Sequence, residues 1–277
     1  MISLKRNSKG EIQLAKGMRV RQSSMYKPGQ NSPFKISRSK FSDFIDCPRC
    51  FYLDRVKGLD SPSVPGWSLN VAVDELLKKE FDIYRDEQKP HPIFIDNNLN
   101  FVPFKHPDLD KWRDSRTGGI SYEDENTNLI IQGGVDDIWF DNDTNQLVVA
   151  DYKAQSSSAA LEKNTYLSSP YHQSYKTQME IYVHILKKMG FEVSSKTYFV
   201  VCNAQKNLER FDSVMQFEVK LIEYEVDISW VEEKIIEMKK VLDTETLPNT
   251  NPCCMNCSYL EQGNIFISSN IEKANVL

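Results

Sequence analysis

The sequence predicts an α/β domain with additional helices. Two apolar, β-branched runs, Leu129 to Phe140 and Leu147 to Lys153, flank a polar turn, which is typical of paired strands. Two longer segments, Gly66 to Arg85 and Tyr171 to Met189, carry apolar residues at helical spacing. With 277 residues, 40% of them hydrophobic, the chain can bury one large core. We therefore expect a flexible basic arm over residues 1–32 and a single domain over residues 33–277.

Charge is distributed unevenly along the chain. Residues 1–57 carry a net charge of +9 and the remainder −14, within a total of −5. A basic N-terminal segment followed by an acidic remainder is consistent with local contact with a polyanion, and it is equally consistent with a solvated basic tail. The sequence has no apolar run long enough to predict a membrane span, and it shows no apolar leader. We therefore expect a cytoplasmic protein without membrane partners. Its six cysteines are then expected to be reduced thiols or metal ligands.

The elements before the central strands are mainly helical. Ser37 to Ser39 can cap a helix that carries Phe41, Phe44 and Ile45. The helix of residues 66–85 presents four apolar residues at helical spacing: Val73, Leu76, Leu77 and Phe81. Residues 86–128 are harder to interpret, and one strand is expected between Ile93 and Phe104.

The elements after the central strands alternate between helix and strand. A polar connection over Ser156 to Tyr171 leads into the helix that ends at Gly190. Two strands, Lys196 to Cys202 and Met215 to Val226, precede a charged helix from Trp230 to Leu242.

The central strands gather charged groups. In an extended strand, Asp151 and Lys153 share one face with Val149. Asp136 follows Gly133-Gly134 in the facing strand. Two carboxylates and one ammonium at one point suit a divalent cation and a phosphate. The following helix places Gln178 and Tyr182 one turn apart on one face.

Together these pieces resemble the PD-(D/E)XK nuclease superfamily, in particular its RecB-like exonuclease branch, which includes AddB-type and CRISPR-associated nucleases. The resemblance rests on the Gly-x-Asp, the Asp-x-Lys and the Gln-x-x-x-Tyr helix, and on the upstream segment CPRCFYLDRVKGL. It covers most of residues 34–257 and implies a restriction-endonuclease-like core, with a mixed central sheet flanked by helices and with helical additions.

The resemblance also implies a chemistry. Asp136, Asp151 and the Tyr152 carbonyl would bind Mg²⁺ or Mn²⁺, for which oxygen ligands are suited. Lys153 would stabilise developing charge or orient water. Gln178 and Tyr182 would support the site and contact nucleic acid. Where relatives usually carry a histidine, this chain has Asp74, which is either a further metal ligand or an exposed helix residue; Glu75 is a weaker candidate.

Four cysteines form a CxxC…CxxC pattern that is typical of metal binding: Cys47, Cys50, Cys254 and Cys257. RecB-like relatives hold a [4Fe-4S] cluster with one upstream cysteine and three near the C-terminus. Here Gly263 stands where the last cysteine is expected, so Cys50 or Cys253 would supply the fourth ligand. The resemblance favours an iron–sulfur cluster over Zn²⁺, and ordinary reduced thiols are the remaining alternative; either metal would join the N- and C-terminal parts of the chain.

The resulting functional prediction is a metal-dependent deoxyribonuclease, more specifically an exonuclease, acting on DNA with a free or single-stranded end. Four basic residues would follow the DNA backbone: Lys35, Arg38, Lys40 and Arg49. No ATP-binding motif is present, so a helicase or recombination partner would be a separate chain. The alternatives are a non-catalytic nucleic-acid-binding or assembly protein on the same fold, and a zinc-stapled structural protein.

Overall fold

The computed structural model describes residues 4–62, 66 and 68–274, of which the last five are described by backbone alone. Residues 1–3 of the predicted arm, and Trp67 within the predicted second helix, lie outside the described residues. The described helices are Arg38–Asp46 (α1), Pro48–Arg55 (α2), Ser68–Glu87 (α3), Pro92–Asp96 (α4), Leu109–Arg113 (α5), Lys163–Ser168 (α6), Gln173–Lys188 (α7), Val231–Asp243 (α8) and Met255–Ala274 (α9). The strands are Phe34–Ser37 (β1), Phe101–Pro103 (β2), Ile120–Asp124 (β3), Leu129–Gly133 (β4), Asp137–Asp141 (β5), Gln146–Gln155 (β6), Lys196–Ala204 (β7) and Phe217–Glu225 (β8). Short 3₁₀ helices occur at Gln22–Ser24 and Pro170–His172.

The chain folds into two compact units that interleave along the sequence. The first comprises Met1–Pro65, Glu125–Leu129 and Glu232–Leu277, and the second comprises Gly66–Asp124 and Ile130–Val231. Because each unit is built from separate segments, they are not successive domains. The expected boundary at residue 32 and the single domain after it stay predictions.

The second unit is organised around a five-stranded mixed sheet of order β2-β5-β6-β7-β8. Strands β6 and β7 are parallel, and the other neighbours are antiparallel. Alternation along β6 turns Val148, Ala150 and Tyr152 toward an aromatic core that includes Phe81 of α3 and Trp139 of β5. The opposite face of β6, which carries Asp151, meets α7. The site residues therefore lie on a strand covered by a helix on each side.

The first unit contains the helix pair α1 and α2. Ser37 caps α1 by accepting a hydrogen bond from the Lys40 backbone N–H, as the sequence predicts. Pro48 begins α2, where its missing N–H costs no helical hydrogen bond. Phe44 of α1 packs edge-on against Phe51 of α2, with ring centroids 5.5 Å apart.

The structure corrects three sequence expectations. The strand expected between Ile93 and Phe104 is instead α4 followed by β2, because His91 caps a helix that begins at Pro92. The run from Leu129 to Phe140 is two strands, broken at residues 134–136; a Cβ on Gly134 would lie 2.7 Å from the Ser115 Cα, so only glycine fits there. Leu76 is 64% exposed and lies off the buried face of α3.

The α7 helix begins at Gln173, two residues after its predicted start, and is followed by Gly190 at φ +92°. The predicted strands and helix that follow it are confirmed as β7, β8 and α8. In the described part of the chain, no helix combines the length and apolarity needed to cross a membrane.

Candidate active site and four-cysteine site

Strand β6 brings Asp151 and Lys153 together on one face, as the alternation of side chains predicts. The Asp151 carboxylate is fully buried, and the Lys153 ammonium contacts its Oδ2. Burial of Lys153 disfavours its charge, but the Asp151 and Asp136 carboxylates outweigh that effect and raise the pKa of Lys153. The lysine therefore stays protonated beside the carboxylates.

Asp136 lies at the break between β4 and β5, directly before the first residue of β5. Since Asp137 pairs with Ala150, Asp136 lies beside the next residues of β6. Its Oδ2 accepts a hydrogen bond of 2.9 Å from the Tyr152 backbone N–H. The structure thus brings Asp136 to the Asp-x-Lys segment, although it precedes the strand in which the sequence placed it.

The Asp136 carboxylate influences the ionisation of Asp151. Burial, opposed by the Lys153 ammonium and reinforced by the Asp136 carboxylate, raises the pKa of Asp151 to about 7. A cation bound between the Asp136 and Asp151 carboxylates would therefore reduce the repulsion between them.

Gln178 and Tyr182 lie on the face of α7 that covers β6. The Gln178 Nε2 donates to the Asp151 Oδ1 at 2.6 Å and to the Tyr182 hydroxyl at 3.2 Å. Both side chains are buried, which places them behind Asp151. Their position supports the expectation that they organise the site; their burial leaves little surface for contact with nucleic acid.

Asp74 lies in α3, and its neighbour Lys78 was not singled out from the sequence. The Lys78 ammonium is 2.8 Å from the Asp74 carboxylate and 3.7 Å from the Asp136 Oδ1. Burial, and then the Asp136 charge, raise the pKa of Asp74. Asp74 is therefore part of the same charged cluster, whereas Glu75 is exposed. The signal that could have found Lys78 is its i, i+4 spacing from Asp74.

Asp137 anchors a buried ion network that the sequence analysis missed. It is fully buried and accepts from the guanidinium groups of Arg85 and Arg113, the latter at 2.8 Å. The Tyr152 hydroxyl and the Trp139 indole also donate to it, at 2.7 Å and 3.2 Å. Burial would raise the pKa of Asp137, but the two arginines lower it. This network fixes the backbone on both sides of Asp136 and Tyr152.

The donor chemistry of this cluster fits a hard divalent cation. Carboxylate oxygens of Asp136, Asp151 and Asp74 and the Tyr152 carbonyl are the oxygen ligands that Mg²⁺ and Mn²⁺ prefer. In the structure Lys78 and Lys153 offset part of their negative charge. Such a site can bind a cation, a phosphate oxygen, or both.

A second site lies in the first unit, where the four predicted cysteines meet. Their Sγ atoms all lie within 4.8 Å of one another. Among the described residues, these four cysteines form the group of three or more candidate metal ligands that lies this close together. The separations are 3.7 Å for Cys47 and Cys257, 3.5 Å for Cys50 and Cys254, and 3.4 Å for Cys50 and Cys257. The structure therefore selects Cys50 as the fourth member.

The other two cysteines lie apart from this group. Cys253 is exposed, and Cys202 is buried in β7 of the second unit. Within the group, burial is outweighed by hydrogen bonds from the Asn251 and Cys50 backbones and from neighbouring thiols, which lower the pKa of Cys47 to about 6. Burial and neighbouring thiols raise the pKa values of Cys50 and Cys257, so the thiolate, which is the ligand state that metals require, forms most readily at Cys47.

Contacts in the first unit hold the C-terminal segment against α1 and α2. Arg49 is 2.6 Å from Glu261 and donates to the Pro248 carbonyl at 2.9 Å, and the Asn251 amide donates to the Asp46 carbonyl at 2.8 Å. Arg49 is thus engaged within the protein. Lys40 is likewise engaged, at 2.9 Å from Asp54. The predicted backbone-tracking role of these two residues stays a prediction.

The second unit has a mixed sheet covered by helices. Its Asp-x-Lys strand lies beside a strand break that bears Asp136, a third charged group. These features define a restriction-endonuclease-like α/β protein. Residues 72–262 match the model of the PD-(D/E)XK nuclease superfamily, and the chain belongs to that superfamily. Members of this superfamily generally use divalent metals.

Solved structures that are similar to this chain include a crystal structure named "Putative exonuclease" from Eubacterium rectale. It is 13% identical, with a TM-score of 0.39, over 90% of this chain and 94% of that one. No curated protein matches this chain.

Proposed function

We propose that this protein is a metal-dependent DNA exonuclease of the RecB-like branch of its superfamily. The observation that carries the proposal is the convergence of Asp136, Asp151 and Lys153, with the Gln178 amide bound to the Asp151 carboxylate. The Gln-x-x-x-Tyr spacing of α7 is the feature that favours the RecB-like branch.

Asp136, Asp151 and the Tyr152 carbonyl would hold Mg²⁺ or Mn²⁺, with Asp74 at the side of the cluster. When bound, the cation polarises the scissile phosphate and makes water a better nucleophile. Lys153, kept protonated by its carboxylate neighbours, stabilises the negative charge that develops on the phosphate oxygens. Gln178 orients Asp151, and Tyr182 in turn accepts from Gln178. Lys78 keeps Asp74 and Asp136 at the same corner of the site.

The substrate we propose is DNA with a free or single-stranded end. Any unwinding would come from a separate helicase or recombination partner, because the chain has no ATP-binding motif.

We propose that the four-cysteine site holds zinc and not the [4Fe-4S] cluster that the resemblance favours. A tetrahedral zinc site with Zn–S bonds of about 2.3 Å requires Sγ atoms about 3.8 Å apart. Three of the six Sγ separations are 3.4–3.7 Å, close to that value, and all six are within 4.8 Å. A four-iron cluster places iron and sulfide atoms between its cysteines and so holds their sulfurs farther apart. We propose a structural zinc that ties α2 to the start of α9 within the first unit.

The nuclease proposal is tested on end-labelled single- and double-stranded DNA with Mg²⁺ or Mn²⁺. Wild type is compared with Asp151→Ala and Lys153→Ala, and Lys79→Ala, an exposed lysine of α3, is the matched control. Metal-dependent degradation that is lost in the two site variants and kept in the control supports the proposal, and the pattern of labelled products gives polarity. A wild type that binds DNA and cuts it with neither metal overturns it in favour of the non-catalytic binding protein.

A further inference from the structure

A cavity of about 550 Å³ opens in the second unit next to the candidate active site. Its walls come from the start of α3, the end of β6 and the loop between β7 and β8. The apolar residues that line it include Leu69, Val73, Leu208, Phe211, Val214 and Met215. A volume of this size is that of a ligand-binding pocket and exceeds that of one nucleobase.

The cavity is lined by parts of α3 and β6, the two elements that also carry Asp74, Asp151 and Lys153 of the charged cluster. Asn70 lines it and lies four residues before Asp74, so both side chains occupy one face of α3. The Asn70 amide donates to the Ala154 carbonyl at 3.2 Å, and Ala154 directly follows Lys153. A group bound beside Asn70 would therefore lie about one helical turn from Asp74.

The lining combines apolar, amide and cationic groups, which suit the base and the phosphate of a nucleotide. Phe211 is 68% exposed and Val214 59%, so a large apolar surface, including an aromatic ring, faces the opening. The amides of Gln155 and Gln205 offer both donors and acceptors, which suit the edge of a base. Lys206 also lines the cavity and adds positive charge, which suits a phosphate, and Arg210 lines it while forming an exposed ion pair with Asp212 at 2.7 Å.

We propose that this cavity binds the unstacked base of the terminal nucleotide of a single-stranded DNA end. Phe211 provides the stacking surface, the amides contact the base edge, and the two cations lie near the backbone phosphates. Stacking on aromatic side chains binds bases of any identity, which suits an enzyme that degrades DNA without reading its sequence. Because the cavity is assigned to DNA through the neighbouring site, this proposal rests on the proposed function.

The test measures binding separately from cleavage. Asp151→Asn protein is titrated into 12-nucleotide single strands that carry fluorescein at one end and, at the other, either a normal or an abasic nucleotide. Both polarities are used. We expect loss of the base to weaken binding about tenfold at one of the two ends, the lower part of the range for stacking on an aromatic side chain.

Two further variants on the Asp151→Asn background locate the effect. Phe211→Ala removes the stacking surface and Val214→Trp fills the cavity, and in both the normal strand should bind as weakly as the abasic one. Ile95→Ala, an apolar residue of α4 that is 61% exposed and lies outside the cavity lining, is the control and should keep the tenfold difference. Circular dichroism checks that all variants are folded.

Two results would overturn the proposal: equal binding of normal and abasic strands at both ends, or variants that weaken both strands by the same factor. These results differ from the result expected if the proposed function is wrong. A wild type that never cuts DNA but binds the normal strand more tightly than the abasic strand would contradict the nuclease proposal and still support the cavity as a nucleobase site. Cleavage without base-dependent binding retains the nuclease and removes the cavity from its substrate site.

Discussion

The Tyr152 hydroxyl donates a hydrogen bond of 2.7 Å to the buried carboxylate of Asp137. Tyr152 stands between Asp151 and Lys153, and its backbone N–H binds Asp136. The side chain of this tyrosine therefore faces the aromatic core, while its backbone holds the active-site carboxylate. The adjacent residues Asp136 and Asp137 have different partners. Asp136 faces the charged cluster, and Asp137 links the strand to Arg85 and Arg113.

Asp137→Asn should destabilise the protein by about 3–5 kcal/mol, because it leaves two buried guanidinium groups with only the partly exposed Asp82 carboxylate as their counter-charge. Urea denaturation at pH 7 measures the free energy of unfolding. Asp96→Asn, the same change at an exposed position of α4, should cost less than about 0.5 kcal/mol. Equal free energies for the two variants would show that the buried network adds no stability.

The contribution of Asp137 should also depend on pH. Its pKa is lowered in the folded protein, so its stabilisation is complete above the unfolded-state value of about 3.9 and is lost as pH falls through the folded-state pKa. The difference in unfolding free energy between wild type and Asp137→Asn should be constant from pH 8 to 5 and shrink below pH 4. A difference that grows on acidification would contradict the assignment.

Gln178→Leu should lower kcat about a hundredfold and raise the Mg²⁺ concentration needed for half-maximal rate. The amide donates to Asp151 Oδ1 from a buried position, and leucine leaves that oxygen without the donor that orients it. Rates measured across a Mg²⁺ titration check this. Gln173→Leu, at the exposed start of α7, is the control, and a rate unchanged by Gln178→Leu would exclude the positioning role.

The sequence predicted those parts of the site that depend on local periodicity. Asp151 and Lys153 share a face because strands alternate, and Gln178 and Tyr182 do so because helices repeat every 3.6 residues. The capping of α1 by Ser37 was equally local. Each of these features needs only a few neighbouring residues to be specified.

Features that depend on distant segments were missed. Gly134 breaks the expected strand because Ser115, nineteen residues earlier, packs against its backbone. The partners of Asp137 come from α3 and α5, and no short-range pattern links them to it. The choice of Cys50 over Cys253 likewise depended on how residues more than two hundred positions apart meet.

Asp74→Ala should reduce the nuclease rate at least tenfold, because Asp74 shares Lys78 with Asp136 and belongs to the same charged cluster. Asp74→His should restore activity and shift the preferred metal from Mg²⁺ toward Mn²⁺, since imidazole is a softer ligand than carboxylate. Rates in each metal measure both effects. Glu75→Ala, at the adjacent exposed position, is the control. An Asp74→Ala protein with the wild-type rate in both metals would place this residue outside the site.

Cys50→Ser should abolish metal binding at the four-cysteine site, whereas Cys253→Ser should leave it intact. Cys50 lies within 3.5 Å of two other thiols, and Cys253 is exposed outside the group. Elemental analysis of anaerobically purified protein should give about one zinc per wild-type and Cys253→Ser chain, with no absorbance near 400 nm, and less than about 0.1 zinc in Cys50→Ser. Losing the metal should also lower the thermal unfolding temperature, because zinc ligands carry folding free energy. Four irons with sulfide in the wild type would replace zinc by a cluster, and retention of metal by Cys50→Ser would exclude Cys50 as a ligand.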